Sequence, residues 1–278
     1  MTLLKSILFG IIQGLCEFLP ISSSGHLALF QAIFGLSEDT DALAFNVLLH
    51  IGTLAAVCIL FWRDIWDLVR SFFTLMGKLF KGKFKLSEAT VGERFVILLV
   101  IAVIPLVPAA LLNDKIEFLM EYPLVIGIIL IVNAVMLWVS EKLGKENKSL
   151  ENVTPLNALI IGLFQVVAIL PGLSRSGATI TGGLTQGLDR KTAVKFSFIL
   201  SIPAILGAAV LELPALFTST TEPKTMLIYL AGALTAMLVG ILAIKLISWI
   251  SEHSTFRIFS YYCLAVGAAA ILWGILAR

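Results

Sequence analysis

The sequence predicts an all-α polytopic membrane protein: six transmembrane helices plus two re-entrant helix-turn-helix hairpins, set in two inverted-topology repeats. Three observations predict it. Of 278 residues, 59% are hydrophobic and only 14% charged, against roughly 25% charged in a soluble domain. Six apolar stretches are long enough to cross a bilayer, which takes about 20 residues. Two further apolar stretches are broken midway by Pro, Gly and Ser, and the breaks resemble one another. The net charge of +2, with no long basic block, excludes nucleic-acid binding and intrinsic disorder.

The first element is the broken stretch 3–36. Its interruption reads Pro20-Ile21-Ser22-Ser23-Ser24-Gly25, and each half is too short to span. Non-helical backbone at membrane depth survives only where protein or a wet cavity surrounds it, so the stretch is expected to be a hairpin. It has only Lys5 before its apolar run and lacks an A-x-A-type site, so no cleavable signal peptide is expected. Spans follow at 43–62, 95–112 and 122–140. The second hairpin, 156–187, breaks at Pro171-Gly172-Leu173-Ser174-Arg175-Ser176-Gly177. The last spans are 196–217, 226–250 and 256–277. The chain is thus one integral membrane domain, 1–278, with a first repeat at 1–145 and a second at 152–278.

Loop charge orients the chain. The basic segments 63–94 (Arg63, Arg70, Lys78, Lys81, Lys83, Lys85, Arg94), 141–155 (Lys142, Lys145, Lys148) and 188–195 (Arg190, Lys191, Lys195) are expected in the cytoplasm. The acidic loops 37–42 (Glu38, Asp39, Asp41) and 113–121 (Asp114, Glu117, Glu121) are expected outside. The first hairpin then opens outward, the second opens to the cytoplasm, and both termini lie outside.

The halves also match in sequence. Gly10-Ile11-Ile12-Gln13 parallels Gly162-Leu163-Phe164-Gln165, and Ser22-Ser23-Ser24-Gly25 parallels Ser174-Arg175-Ser176-Gly177. Phe45-Asn46-Val47-Leu48-Leu49 parallels Phe196-Ser197-Phe198-Ile199-Leu200. One hairpin plus three spans per half is an odd number of crossings, so the second half is inverted. Broken helices meeting in inverted repeats mark a binding site.

Most charges fall in loops or at helix ends, and Lys245 is near enough to a helix end to snorkel. Glu17 and Arg175 have no such escape, and an ionisable group at that depth points to function with a partner. The bland alternative is a salt bridge that only fixes hairpin packing. The hydroxyls around the pair argue against it: Ser22, Ser23, Ser24 and His26 in one hairpin, and Ser174, Ser176 and Thr179 in the other. Ser and Gly just before a helix expose backbone N–H donors to an anion, and the Arg175 fork matches phosphate oxygens. Gly25, Gly172 and Gly177 let backbone approach that anion closely.

Gln13 shares a helix face with Glu17, and together they could hold a divalent cation through oxygen ligands, Mg²⁺ or Ca²⁺, or position a water. His26 could act as base or acid, and a Ser beside a base can attack phosphorus. These parts together spell phosphoryl transfer. His50 lies mid-span with no visible partner and is expected to be a packed residue sharing a network with Asn46. His253 is expected in a loop, solvated. Cys16, Cys58 and Cys263 are odd in number, far apart and in apolar stretches, which suits buried thiols rather than a disulfide framework or metal cluster.

At these residues the sequence resembles the bacterial undecaprenyl-diphosphate phosphatases associated with bacitracin resistance. Their (E/Q)-x-x-x-E motif falls on Gln13 to Glu17, the P-x-S-S-[ST]-G-H stretch on Pro20 to His26, and the P-G-x-S-R-S-G-x-T motif on Pro171 to Thr179. The resemblance implies hydrolysis of a C55 polyprenyl diphosphate to the lipid monophosphate carrier of peptidoglycan synthesis. It also implies a site facing outward from the bacterial plasma membrane, no organic cofactor, and bacitracin acting on the lipid substrate rather than on the protein. Surrounding membrane lipids are the other partners, and the resemblance leaves room for a homodimer. Gln13 stands where many relatives have Glu, which weakens a model with two carboxylates on a metal. Asn46 stands where acidic residues are common, and it receives no role. The P-S-G-H element of type 2 phosphatidic-acid phosphatases is echoed at Ser23 to His26, but no Lys…Arg-Pro motif exists and no His lies between Arg175 and His253.

The expected division of labour gives Arg175 the diphosphate, with Ser174, Ser176, Thr179 and backbone N–H groups. Ser23 is the chosen nucleophile and Ser22 its near rival. Glu17 and His26 handle the proton, either being a candidate base, and His26 could itself be the nucleophile. The competing reading is a polyprenyl-phosphate transporter or flippase using the same anion site; a weaker third is an ion-coupled transporter of small anions.

Overall fold

The computed structural model describes residues 1–34, 40–110, 116–144, 147–218 and 222–276. Glu38, Asp39, Asp114 and Lys145, loop charges used to orient the chain, lie outside the described residues, as do the side chains of Asp41 and Glu117.

Both broken stretches form two helices each. The first gives α1 (Leu3–Phe18) and α2 (Ser23–Phe34). They have 16 and 12 residues, short of the length that spans a bilayer. The Thr2 side chain caps α1 by accepting from the Lys5 N–H.

After it comes α3 (Thr40–Leu60), then α4 (Trp62–Phe80). Most of the basic segment 63–94, whose charge orients the chain as a loop, is helical. The chain turns by 85° between α3 and α4, at Phe61, which leaves helical geometry with φ −105° and ψ 23°. The reason lies in the periodicity. In α4, Ile65, Leu68, Phe72 and Leu75 recur on one face, and Leu75 is buried. Trp62, Trp66, Phe73 and Phe80 are exposed beside it. Arg63 and Arg70 stack over the Trp62 and Trp66 rings at 5.4 and 5.1 Å. This apolar face, aromatic flank and basic edge match the pattern of helices that lie along a membrane surface.

The first half ends with α5 (Val91–Val103), α6 (Leu106–Ala110) and α7 (Pro123–Leu143). Thr90 and Glu93 form a capping box that starts α5. The second half is α8 (Pro155–Val167), α9 (Arg175–Thr185), α10 (Arg190–Thr218), α11 (Pro223–His253) and α12 (Arg257–Leu276). Thr154 and Asn157 box the start of α8, with Pro155 in its first turn.

Among the described residues, five helical stretches are long and apolar enough to cross a membrane: Val91–Ala109, Pro123–Lys142, Arg190–Val210, Pro223–His253 and Arg257–Leu276. The bent pair beginning with Ala44–Leu60 makes a sixth candidate. This is an all-α, multi-pass membrane protein, and no strand occurs among the described residues.

Packing crosses between the halves. Helix α1 lies along α11, α7 along α12, and α3 along both α10 and α11. Gly127 and Gly267 bring α7 and α12 together reciprocally: a Cβ on Gly127 would meet the Gly267 carbonyl at 2.6 Å, and one on Gly267 would meet the Gly127 carbonyl at 2.7 Å. The main core threads between α1, α3, α10 and α11, with Phe9, Phe18, Phe45, Phe196 and Phe198 fully buried.

Among the described residues, two carboxylates besides Glu17 have buried side chains at helix ends, and each is paired. Glu93 meets Lys78 at 2.7 Å. Glu141 takes Arg190 at 2.8 Å and the Phe256 N–H at 2.8 Å. Cys16 and Cys263 are buried free thiols, whereas Cys58 is half-buried. His253 is in the last turn of α11 rather than in a loop; it is exposed and stacks on Trp249.

Candidate active site

The tips of the two hairpins meet. Pro20 and Pro171 stop the outgoing helices, and the returning helices α2 and α9 begin with Ser-rich turns. The approach is close enough that a Cβ on Gly25 would sit 2.9 Å from the Gly172 Cα, while one on Gly177 would sit 3.2 Å from Pro20. Gly172 also adopts φ +97°, a conformation that glycine reaches without strain. Asn133 of α7 joins the breaks: its Nδ2 donates to the Pro20 carbonyl at 3.0 Å, and its Oδ1 accepts from the Ser174 N–H at 3.1 Å. Ser176 Oγ donates to the Leu19 carbonyl at 3.2 Å, and the Gly172 N–H to Ser24 Oγ at 3.4 Å.

Glu17, in the last turn of α1, is the centre. Its side chain is 6% exposed. Arg175 Nη2 donates to Glu17 Oε1. On the other oxygen, Ser23 Oγ donates at 2.8 Å and Gln13 Nε2 at 3.0 Å. One carboxylate thus gathers α1, the first residue of α2 and the first residue of α9. The positive ends of the α2 and α9 dipoles lie at the breaks. Two polar atoms are buried without a partner here: Arg175 Nη1, a donor, and Gln13 Oε1, an acceptor. A buried group left unpaired costs roughly 1–3 kcal/mol, and this guanidinium donor sits beside the Ser23 hydroxyl and the Glu17 carboxylate.

The remaining residues singled out in the sequence divide. Ser22 is 1% exposed and holds φ 74°; its Oγ accepts from the Gly25 N–H at 3.2 Å and lies 3.3 Å from Ser24 Oγ. Ser174 caps α9 through the Gly177 N–H at 3.1 Å and lies 3.0 Å from Ser176 Oγ. Thr179 is 1% exposed and bonds to the Arg175 carbonyl at 3.0 Å and Ser197 Oγ at 2.6 Å. These hydroxyls knit backbone together rather than face an open site. His26 is 4% exposed. Its Nδ1 is 2.7 Å from the Ser22 carbonyl, its Nε2 2.9 Å from the Tyr262 hydroxyl, and its ring stacks on Tyr262. Both ring nitrogens are therefore engaged away from Ser23 and Glu17.

Sequence reasoning missed four neighbours. His50, expected to be merely packed, presents Nε2 3.9 Å from Glu17 Oε2. Asn133, Tyr262 and Ser197 support the hairpins or His26. Asn133 carried a usable signal, a single amide inside an apolar span.

From this cluster a divalent cation would have Glu17 and the unpartnered Gln13 Oε1 as oxygen ligands. Among the described residues no three His, Cys, Asp or Glu side chains group to hold a metal. Glu17 already accepts from a guanidinium, a hydroxyl and an amide.

The model of the bacitracin resistance protein BacA family matches residues 6–269. The chain belongs to that family. It is 39% identical to an undecaprenyl-diphosphatase of Alkaliphilus metalliredigens over 278 residues, covering 99% of this chain and 100% of the relative. It is 40% identical to an undecaprenyl-diphosphatase of Halothermothrix orenii over 273 residues, covering 98% of each. A third relative, an undecaprenyl-diphosphatase of Methanosphaera stadtmanae, is 38% identical over 274 residues, covering 97% of each. Every motif at the hairpin tips lies inside these matches.

Proposed function

We propose that this BacA-family chain hydrolyses undecaprenyl diphosphate to undecaprenyl phosphate and inorganic phosphate, with the chemistry at Glu17, Ser23 and Arg175. The observation that carries the site is the bond from Ser23 Oγ to Glu17 Oε2 at 2.8 Å, with the unpartnered Arg175 Nη1 in the same cluster. Arg175 binds the terminal phosphoryl group through its free donor and stabilises the charge that spreads over the phosphoryl oxygens in transfer. Ser23 Oγ attacks the terminal phosphorus while its proton passes to Glu17 Oε2. The bridging P–O bond breaks and the lipid monophosphate leaves. Water then attacks the phosphorylated Ser23: its hydroxide joins the departing inorganic phosphate and its other proton goes to the Ser23 oxygen, restoring the hydroxyl.

In this scheme Glu17 is the base. His26, bound to Ser22 and Tyr262, helps hold the turn before α2. Ser22, Ser24, Ser174, Ser176, Thr179, Gly25, Gly172 and Gly177 shape the cradle, and Gln13 orients Glu17. A divalent cation that takes part is one carried on the diphosphate oxygens as part of the substrate. The membrane is the bacterial plasma membrane, with the first hairpin opening outward. The two halves are inverted repeats; the reciprocal pairing of α7 with α12 and the meeting of equivalent hairpins support this. The carrier reading has no support from relatives that are named as diphosphatases.

The test is phosphate release from C55 diphosphate by purified protein in detergent, where no gradient exists. Glu17→Ala and Arg175→Ala are each expected to lower turnover at least about 100-fold, in the range of lost base or oxyanion donors. Near-wild-type turnover in either variant would refute the site. A protein that bound the lipid but released no phosphate would refute the hydrolase reading.

A further inference from the structure

Glu17 is almost enclosed. Its side chain is 6% exposed, and the groups on its oxygens are Arg175, Ser23 and Gln13. In the scheme above it ends the first step holding the proton of Ser23, which must leave before the next turnover. An arginine is already fully protonated, an amide nitrogen is not basic, and Ser23 is the source of the proton. His50 of α3 is different. Its side chain is 36% exposed, and its Nε2 lies 3.9 Å from Glu17 Oε2.

The tautomer follows from its other nitrogen. His50 Nδ1 is 2.9 Å from the Asn46 carbonyl oxygen. A carbonyl only accepts, so Nδ1 carries the hydrogen and the neutral ring leaves a lone pair on Nε2, on the side of Glu17. The 3.9 Å gap is longer than a direct hydrogen bond, and one bridging water or a small ring rotation closes it.

We propose that His50 is the proton relay between the buried Glu17 and the water that hydrolysis at Ser23 must admit to this cluster, a role that rests on Glu17 being the base for Ser23. The O–H bond of the protonated carboxyl breaks and an Nε2–H bond forms, giving Glu17 carboxylate and His50 imidazolium. The imidazolium passes the same proton to water or buffer at its exposed edge and returns to neutral. No electrons move and no co-reactant is consumed.

The experiment is steady-state phosphate release from C55 diphosphate by wild type, His50→Ala and His50→Gln, in low buffer and across increasing imidazole. In low buffer His50→Ala is expected to lose kcat about tenfold or more, the low end of what acid–base groups contribute, with KM little changed. Imidazole is expected to raise the kcat of His50→Ala toward wild type and to leave wild type unmoved. His50→Gln can keep the bond to Asn46 yet cannot relay, so its kcat is expected to fall alike. An unchanged kcat in His50→Ala, or a loss that imidazole does not restore, overturns the relay; a misfolded variant would fall in the second class. Glu17→Ala measured alongside separates the two levels. If it stays active, the base assignment fails, and the relay fails with it; if it is inactive while His50→Ala is unimpaired, the relay alone fails.

Discussion

Ser22 and Ser23 are adjacent in sequence and opposite in use. Ser22 is buried in the left-handed region, where a non-glycine residue costs roughly 1–3 kcal/mol, and its hydroxyl is occupied by the Gly25 N–H. Ser23 is half-buried and gives its hydrogen to Glu17. Ser23→Ala is therefore expected to abolish phosphate release, by at least about 100-fold, with almost no change in thermal unfolding. Ser22→Ala removes a cap worth about 1 kcal/mol and is expected to lower the unfolding temperature while keeping the Ser23 chemistry. The two variants measured by the same assay and the same melt tell the roles apart. Arg175→Lys keeps the charge and loses the fork. One donor group cannot both hold Glu17 and reach the phosphate, so kcat/KM is expected to fall about 100-fold. The sequence made Glu17 and Arg175 legible as partners because both are deep charges in equivalent breaks. It could not separate Ser22 from Ser23, because backbone dihedral and hydroxyl direction leave no trace in a run of three serines.

At the scale of elements, the site depends on how two short hairpins are held tip to tip. Asn133 does this from α7, satisfying a carbonyl of one break and an N–H of the other. Asn133→Leu is close in size but leaves the Ser174 N–H buried and unpaired, at roughly 1–3 kcal/mol, and leaves the Pro20 carbonyl only the weak Cys263 thiol at 3.9 Å. The expected result is a clear drop in unfolding temperature together with reduced turnover, although Asn133 touches neither Ser23 nor Glu17 among the hydrogen bonds it makes. Both hairpins were legible from Pro, Gly and Ser interrupting apolar runs, and five spans from length alone. Helix α4 was not, because it was sought as an apolar run and is instead amphipathic, alternating Arg63, Asp67, Arg70 and Lys78 with its aromatic face. His50 was discounted for want of a partner within its own span; its partner is Glu17, on another helix 33 positions away, and only the packing of α1 against α3 brings them together.

At the scale of the whole molecule, the inverted repeat and the outward site stand or fall on which loops face which side. The chain bends by 85° between α3 and α4, and the positive-inside rule leads to the expectation that Arg63 and Arg70, with Lys81, Lys83 and Lys85, face the cytoplasm. The turn at Glu117–Glu121 would then lie outside, with Phe118 exposed. Single cysteines on a background freed of Cys16, Cys58 and Cys263 report this directly. In intact cells a membrane-impermeant maleimide is expected to label Phe118→Cys at once, and Lys83→Cys only after permeabilisation. The control is activity of each labelled variant, since neither position touches the hairpin tips. The opposite pattern would invert the whole molecule, turn the first hairpin toward the cytoplasm and put Ser23 out of reach of a lipid diphosphate presented from outside. Equal labelling of both positions before permeabilisation would break the odd count of crossings between them that an inverted second half requires.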